Sequence, residues 1–410
     1  MKTSQSSSVI EKKVLIDVLV LRGGGGHYAT YDALRAIVEQ KQLPWELSVT
    51  FADTIGESSS EDKKVSDVSS LVGRASDNFY DQIQKNGLGW IHLLTMHLHK
   101  LIIKLKHNID VRLLKEKWHK QQPDLIISVV PFHNKALWES VKELKKEIPV
   151  VTILADFADS PPAYWIEPKT KNYVVCGTQK AVEQAQGLGV DKERIIKTSG
   201  LIIHPRFYQS IKDSHNQTPE DYRRHQRKRL GLSPDCRTGL VLFGANGSKV
   251  MLDIAKRLEC FHKNLQLIFL CGRNQEVATF LTQQKSLQKR VVVTFTKDIP
   301  YYMHLADFFI GKPGNVSVSE ALVMNLPLIV ENNFLTLPQE SYAAQWIQDN
   351  EVGITISSFR HIHKAVENFI EPENFARYRR NVIAINNKAV FEIPEILNNI
   401  LIKSRDINHE

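Results

Sequence analysis

Three times along this chain an apolar run gives way to a small-residue turn and a helical pattern, around residues 14–38, 239–248 and 307–323. Runs of this kind suit strands buried on both faces, as in a parallel sheet covered by helices on each side. In doubly wound sheets, ligands sit outside the carboxyl ends of the strands. The expected fold is therefore α/β, with its chemistry in the strand-to-helix turns. The third unit is the most informative. Asp307-Phe308-Phe309-Ile310 reads as a short buried strand, followed by Gly311-Lys312-Pro313-Gly314-Asn315-Val316-Ser317-Val318-Ser319-Glu320-Ala321-Leu322. Val318, Ala321, Leu322 and Val323 then share a helical face. The first N–H groups of a helix lack partners and its dipole is positive there, so the turn suits a diphosphate without a cationic side chain. Gly314 lets a ligand approach the backbone, and Ser317 or Ser319 is placed to cap the helix. Glu320 reads as a first-turn acceptor for a sugar diol. An ordinary turn with a capping serine fits the same letters.

A chain of 410 residues exceeds one ordinary core, so two domains of ~200 residues are expected. The N-terminus is polar, and no uninterrupted apolar run of 18 residues occurs, so neither a signal peptide nor a spanning helix is expected. A net charge of +8 and a pI near 9.1 favour an anionic partner: a membrane surface, a nucleotide or a nucleic acid. Cys176, Cys236, Cys260 and Cys271 form no C-x-x-C pair, which speaks against a zinc site or disulfide framework and for a reducing cytoplasm.

In chain order, the strand at residues 14–21 leads into Gly23-Gly24-Gly25-Gly26-His27 and a helix through Ala33, Leu34, Ile37 and Val38. Gly24, Gly26 and Ala29 also satisfy the dinucleotide pattern G-x-G-x-x-A, and Asp53 follows the next strand, where a ribose-binding acid lies in dehydrogenases. Residues 57–81 read as a long polar loop with a short helix. Across residues 86–120, Leu88, Ile91, Leu94, Leu98, Leu101, Ile102 and Leu105 recur at helical spacing among lysines, with Trp90 near the start. That is either a basic amphipathic helix lying in a membrane interface or a surface helix with its stripe on the sheet. His97 and His99 do not share a helix face, so they are no metal pair.

Strands are expected at 124–130, 149–155, 172–176 and 194–199. The second of these ends at Asp156-Phe157-Ala158-Asp159, which lacks Asp-x-Asp spacing. Asp156 suits either a site role or a plain turn. The basic run at 214–230 reads as a linker entering a second domain, or as a solvated charge run. No aromatics interleave there as nucleic-acid binding would require. The second half offers the loops Gly244-Ala245-Asn246-Gly247-Ser248 and Gly272-Arg273-Asn274. Phe295 ends a strand, where a buried aromatic is the ordinary reading. In Leu337-Pro338-Gln339-Glu340 an amide beside a carboxylate is able to grip hexose hydroxyls.

From about residue 14 to 356 this ordered series resembles the inverting, UDP-sugar-using GT-B glycosyltransferases. It is most similar to the monogalactosyldiacylglycerol synthases and processive diacylglycerol glucosyltransferases. The lipid II N-acetylglucosaminyltransferase is a more distant likeness. The resemblance implies two Rossmann-like, doubly wound domains facing across a cleft: an acceptor domain at 13–212 after a disordered tail (1–12), a linker at 213–235, and a UDP-sugar domain at 236–375. A last helix within 376–410 would pack back on the first domain. It further implies that Gly314, Asn315, Val316 and Ser317 take the diphosphate, with Gly244, Asn246, Gly247 and Ser248 facing it, and that Glu320 holds the ribose. Arg273 lies in a segment like the family's Cys-Gly-Arg-Asn, Phe295 matches the aromatic beside uracil, and Gln339 and Glu340 match the sugar contacts. His27, in a loop like the family's Gly-Gly-Gly-His with Gly25 and Gly26, would be the base, unless it merely fills the loop. Asp156 would assist it or orient the acceptor. The chain departs from the synthases at Pro161-Pro162, where they carry His-Pro, and at Leu337-Pro338, where they carry Pro-Gly.

The expectation is thus an inverting transfer of galactose or glucose from UDP-sugar to a lipid hydroxyl, diacylglycerol first, without a metal or other cofactor. Its partners would be UDP-hexose, lipid acceptor and an anionic membrane surface, not nucleic acid; its place would be cytoplasmic and peripheral to the membrane. A UDP-sugar epimerase on the same fold, a nicotinamide-dependent dehydrogenase, and a non-catalytic nucleotide-sugar or lipid binder are the rivals.

Overall fold

Two six-stranded, wholly parallel sheets frame the chain in a computed structural model, which describes residues 13–21, 25–52, 55, 89–142, 144, 147–209 and 218–409. The first sheet holds β1 (Val14–Val20), β2 (Trp45–Phe51), β3 (Leu125–Ser128), β4 (Val150–Ile153), β5 (Tyr173–Cys176) and β6 (Ile195–Lys197), in the order β2-β1-β3-β4-β5-β6. The second holds β7 (Arg237–Leu242), β8 (Leu265–Leu270), β9 (Arg290–Val293), β10 (Phe308–Gly311), β11 (Leu328–Glu331) and β12 (Gly353–Ile356), in the order β12-β11-β10-β7-β8-β9. The expected α/β architecture of two doubly wound units is what the chain adopts. Strand order reverses between β1 and β3 and again between β7 and β10. Those two switch points are where a doubly wound sheet opens a crevice for a ligand.

Helices α1 (Gly25–Gln40), α2 (Gly89–Gln121), α3 (Asn134–Lys142) and α4 (Gln179–Gly187) belong to the first sheet. Helices α5 (Pro219–Arg229), α6 (Val250–Leu258), α7 (Gln275–Gln283), α8 (Ile299–Leu305), α9 (Asn315–Val323), α10 (Pro338–Asp349), α11 (Ile362–Phe369) and α12 (Pro372–Ala384) surround the second, and α13 (Ala389–His409) ends the described chain. Phe157, Leu201, Ile203 and Phe207 of the first half share one apolar cluster with Leu240, Phe309, Val318 and Ala344 of the second. The halves are therefore packed on one another, not merely tethered.

The closing helical pattern is two helices, not one. Phe375 and Tyr378 of α12 lie in the core of the second sheet, and only α13 returns to the first, through Ala389, Val390, Ile393, Leu397 and Ile400. The break is chemical. Buried Asn387 donates from Nδ2 to the Leu201 carbonyl at 2.9 Å and accepts from Ala389 N at 3.0 Å, so its side chain caps α13 instead of continuing a helix. Gly200 is needed here, since a Cβ would lie 2.5 Å from Asn387 Cγ.

The basic run is also more than a solvated face. Thr218 caps α5, and fully buried Arg227 donates to Asp307 Oδ2 at 2.9 Å and to the carbonyl of Leu305 at 2.9 Å. The far end of α2 lies on the first sheet: Leu114 and Trp118 are buried, and Trp118 Nε1 donates to the buried Asp17 at 2.9 Å. Leu105, nearer its start, is 74% exposed. So the sheet-packed reading holds for the end of α2. The side chains of residues 89–102, Trp90 included, lie outside the described residues, as do Gly23, Gly24, Asp53, the 57–81 segment, the 1–12 tail and the start of the linker, up to residue 217. Among the described residues no helix is long and apolar enough to cross a membrane.

Candidate active site

β10 ends at Gly311, where a Cβ would stand 2.3 Å from the Leu242 carbonyl oxygen of β7. Glycine is what lets the two strands of the switch point lie so close. Gly314 then forms the N-cap of α9 in extended backbone, φ −66° and ψ 124°, without a capping side chain. The serines do not cap. Ser317 Oγ donates to the Gly314 carbonyl at 3.1 Å, and Ser319 is buried on the packed face, because α9 already begins at Asn315. The start of α9 is thus left without a side-chain cap among the described residues, with Val316 and Ser317 in its first turn. Glu320 falls in the second turn, not the first. Burial pushes its carboxyl up to about 8, against the pull of the Arg206 guanidinium.

The two loops facing this turn interlock. Gly244, Gly247 and Gly272 all take positive φ, at 70°, 62° and 58°. A Cβ on Gly247 would meet the Cys271 carbonyl oxygen at 2.2 Å, and Arg273 N donates to the Ala245 carbonyl at 2.8 Å. Asn246 therefore stands beside the turn carrying Arg273, while Ser248 Oγ accepts from Val250 N at 3.3 Å at the start of α6. The Arg273 guanidinium lies 4.9 Å from the Phe295 ring centroid. Phe295 is not the buried strand aromatic its letters allow. It lies beyond the end of β9 and is 48% exposed. At α10, Gln339 Oε1 is buried without a partner among the described residues, whereas Glu340 Oε1 is held by Lys312 Nζ at 2.8 Å.

In the first half, α1 begins at Gly25, directly after the glycine loop. A Cβ on Gly26 would stand 3.3 Å from Val316 Cγ2, so the two Gly-bearing turns touch across the junction. His27 Nδ1 lies 2.8 Å from the Val129 carbonyl oxygen, at the end of β3. A carbonyl accepts only, so Nδ1 carries the proton and Nε2 keeps a lone pair. Burial lowers the imidazole from 6.5 to about 4, against the hydrogen bond to Val129. Burial thus keeps this ring neutral. Its ring centroid is 5.5 Å from that of the buried Trp165.

Asp156 does not touch His27 through a hydrogen bond among those described. Its Oδ2 accepts from Trp165 Nε1 at 2.8 Å and its Oδ1 from Asn315 Nδ2 at 2.6 Å. Burial raises its carboxyl to about 7; Glu340 adds to the rise, and the Trp165 and Asn315 hydrogen bonds oppose it. Asp159 shapes the loop between them, accepting from the backbone N–H groups of Ala163, Tyr164 and Trp165 at 2.9, 2.9 and 2.7 Å. Val129, Trp165 and Lys312 are the residues that sequence reasoning missed. Lys312 carried a signal, since it stands between the strand end and Gly314. Trp165 carried none, because its place depends on the loop that Asp159 organises.

Two family models match the chain: monogalactosyldiacylglycerol (MGDG) synthase over residues 32–203 and the glycosyltransferase family 28 C-terminal domain over residues 240–333. A probable monogalactosyldiacylglycerol synthase 2 of Oryza sativa subsp. japonica is 26% identical over 286 residues, 67% of this chain and 58% of that protein. Monogalactosyldiacylglycerol synthase 1 of Arabidopsis thaliana is 25% identical over 379 residues, 88% of this chain and 65% of that protein. The chain thus spans about three-fifths of the length of these relatives. Among solved structures, Acinetobacter baumannii MurG superposes with a TM-score of 0.59 at 11% identity, covering 94% of this chain and 99% of that one. A UDP-GlcNAc 2-epimerase from Neisseria meningitidis bound to UDP-GlcNAc gives 0.57 at 13%, covering 94% and 99%. At these identities the structural likeness speaks for the fold alone. The chain is a GT-B protein, resembling the monogalactosyldiacylglycerol synthases in its N-terminal half and the family 28 glycosyltransferases in its C-terminal half.

Proposed function

We propose that this chain is an inverting glycosyltransferase that moves a hexose, galactose or glucose, from a UDP-sugar to a lipid hydroxyl, diacylglycerol first, at an anionic membrane surface on the cytoplasmic side. One observation carries the reading. His27 is held by Val129 through Nδ1, with no hydrogen bond to its basic Nε2 among the described residues, one residue from the Gly26–Val316 contact with the N-terminus of α9, which has no side-chain cap among those residues. A base and an anion-stabilising helix end on facing switch points are the two groups that sugar transfer from a nucleoside diphosphate needs.

In this reading His27 Nε2 takes the acceptor's hydroxyl proton as its oxygen attacks the anomeric carbon from the face opposite the leaving group. The amides of Asn315, Val316 and Ser317 carry the charge of the departing UDP, so no metal is assigned to that task. Glu320 takes the ribose hydroxyls. Gln339 Oε1, buried and without a partner among the described residues, accepts from a hexose hydroxyl, and Lys312 holds Glu340 in place beside it. Arg273 and Phe295 pack the uracil, and Gly244, Asn246, Gly247 and Ser248 close on the diphosphate. The N-terminal part of α2 with Trp90, and its lysines, meets the anionic lipid. The sequence relatives favour transfer over epimerisation, since those above are named as synthases.

The test is direct. The protein is incubated with labelled UDP-galactose or UDP-glucose and vesicles containing diacylglycerol, and the organic phase is analysed. Label in a glycolipid of inverted anomeric configuration is the expected result. Turnover of UDP-sugar without any acceptor would point to an epimerase, and UDP binding without any product to a binding protein.

A further inference from the structure

The side chain of Asn315 does more than open α9. It is 7% exposed and spends its hydrogen-bonding capacity on three groups. Nδ2 donates to Asp156 Oδ1 at 2.6 Å and to the Gln339 carbonyl oxygen at 3.1 Å, while Oδ1 accepts from Phe157 N at 3.4 Å. Two acceptors face one end of the amide and a donor faces the other, so only one orientation of the amide satisfies all three. Asp156 and Phe157 belong to the first half; Asn315 and Gln339 belong to the second. Around this bolt the contact is apolar: the Phe157 ring lies 5.2 Å from that of Trp346. Behind it the series continues through Asp156 Oδ2 to Trp165 Nε1 at 2.8 Å, and from the Trp165 ring to that of His27 at 5.5 Å.

We infer that Asn315 is a positioning residue that ties the anion-binding helix of the C-terminal half to the Asp156–Trp165–His27 series of the N-terminal half, so that closure of the halves and the setting of His27 occur together. The end of α9 that would face a diphosphate and the loop that braces His27 share a single buried amide. A partner that draws α9 into its closed place therefore brings Asp156 and Trp165 into register. Separation of the halves breaks a hydrogen bond to a carboxylate, the stronger kind, and leaves Asp156 Oδ1 without its donor. The closure arm of this inference stands without any assumption about the reaction; its kinetic arm rests on His27 as the base.

The experiment is a double-mutant cycle on closure. Spin labels at Lys192 and Lys364, both exposed and one in each half, report the distance between the halves in a background with Cys236 and Cys260 replaced by serine. Asn315→Ala and Asp156→Ala are each expected to raise the open-to-closed ratio roughly tenfold, the worth of a hydrogen bond to a charged group. The double variant is expected to raise it no further than either single one. The kinetic arm asks for a split: Asn315→Ala lowers kcat at least as much as it opens the halves, while UDP affinity stays within about threefold, because the diphosphate contacts of α9 are backbone groups. Unchanged distances in both single variants, or strictly additive shifts in the double variant, overturn the inference. So does a variant whose loss lies wholly in UDP affinity. If the distances shift as expected but no glycosyl transfer occurs in the parent, the bolt stands and the proposed reaction falls.

Discussion

Replacing His27 by asparagine isolates the base from its scaffold. The asparagine amide Nδ2 occupies about the place of imidazole Nδ1, so the donor to the Val129 carbonyl, 2.8 Å away in the parent, has a substitute. What disappears is Nε2, the nitrogen with the uncommitted lone pair. The donor-site groups Gly314, Glu320 and Gln339 lie in the other half and are not touched by the change. UDP affinity should therefore hold, while turnover falls by roughly 10²–10⁴, the usual worth of a positioned general base. In free energy that is ~3–5 kcal/mol of transition-state stabilisation. The loss should appear in kcat more than in KM, since the proton moves only in the transition state. Single-turnover transfer from labelled UDP-hexose, with UDP binding followed by calorimetry on the same preparation, separates the two quantities. Near-parental turnover in a folded variant that binds UDP would refute the argument, and His27 would then be a loop residue.

Further outcomes follow from the same geometry. Glu320, raised to about 8, is mostly protonated at neutral pH, so accepting from a ribose diol as a carboxylate requires it to lose a proton. UDP binding at pH 7 should release protons, measured by calorimetry in buffers of differing ionisation enthalpy, and affinity should rise as pH approaches 8. Glu320→Gln should abolish the release and cost roughly 1.5–3 kcal/mol of affinity; binding without proton release counts against the ribose assignment. Co-sedimentation with anionic vesicles should exceed that with neutral ones and fall as salt rises, at ~1 kcal/mol per basic side chain near the surface. Equal binding to both vesicle types would remove the electrostatic account. Arg227→Met should destabilise the fold by about 3 kcal/mol by leaving the mostly buried Asp307 with one cation, Arg223, and the Thr238 N–H; a denaturation midpoint unchanged from the parent contradicts that.

The readable parts of this protein were those written in local chemistry. Buried parallel strands are apolar runs, so the sheet frame could be read off the residues at 14–20, 237–242 and 308–311 with errors of a few residues at the ends. The turns at Gly26, Gly247 and Gly314 were legible because close backbone approach excludes a side chain there. What stayed hidden depends on tertiary contact. Nothing near Asn387 announces that its amide reaches Leu201 and breaks the final helix. Arg227 looks like any surface cation until Asp307 is placed beside it. The two serines in α9 read as caps because capping residues also occur inside first turns, but the N-cap is Gly314, three residues before Ser317 and five before Ser319. Lys312, Trp165 and Val129 entered the site only when the loops were assembled around them.

The identity of the base is where pKa and geometry pull apart. By titration alone Asp156, raised to about 7, matches neutral pH better than His27, lowered to about 4. A general base works best with its pKa near the operating pH, so the carboxyl has the better number. Geometry argues the other way. Both Asp156 oxygens already accept from fixed donors, Trp165 and Asn315, and protonating the carboxylate would put a proton where those N–H groups point. His27 Nε2 has no such competitor among the described residues, and its other nitrogen is locked as a donor, which leaves one nitrogen for one proton. Burial that disfavours the imidazolium is also offset once a diphosphate brings negative charge beside it, so the value of about 4 belongs to the free enzyme. The pH dependence of kcat/KM reports that free enzyme. With His27 as base, activity is lost as pH falls through about 4, where Nε2 takes its proton, and the His27→Asn variant lacks that limb. With Asp156 as base the limb lies near 7 and survives His27→Asn. A limb near 7 in the parent, abolished by Asp156→Asn and untouched by His27→Asn, would transfer the role to the carboxyl.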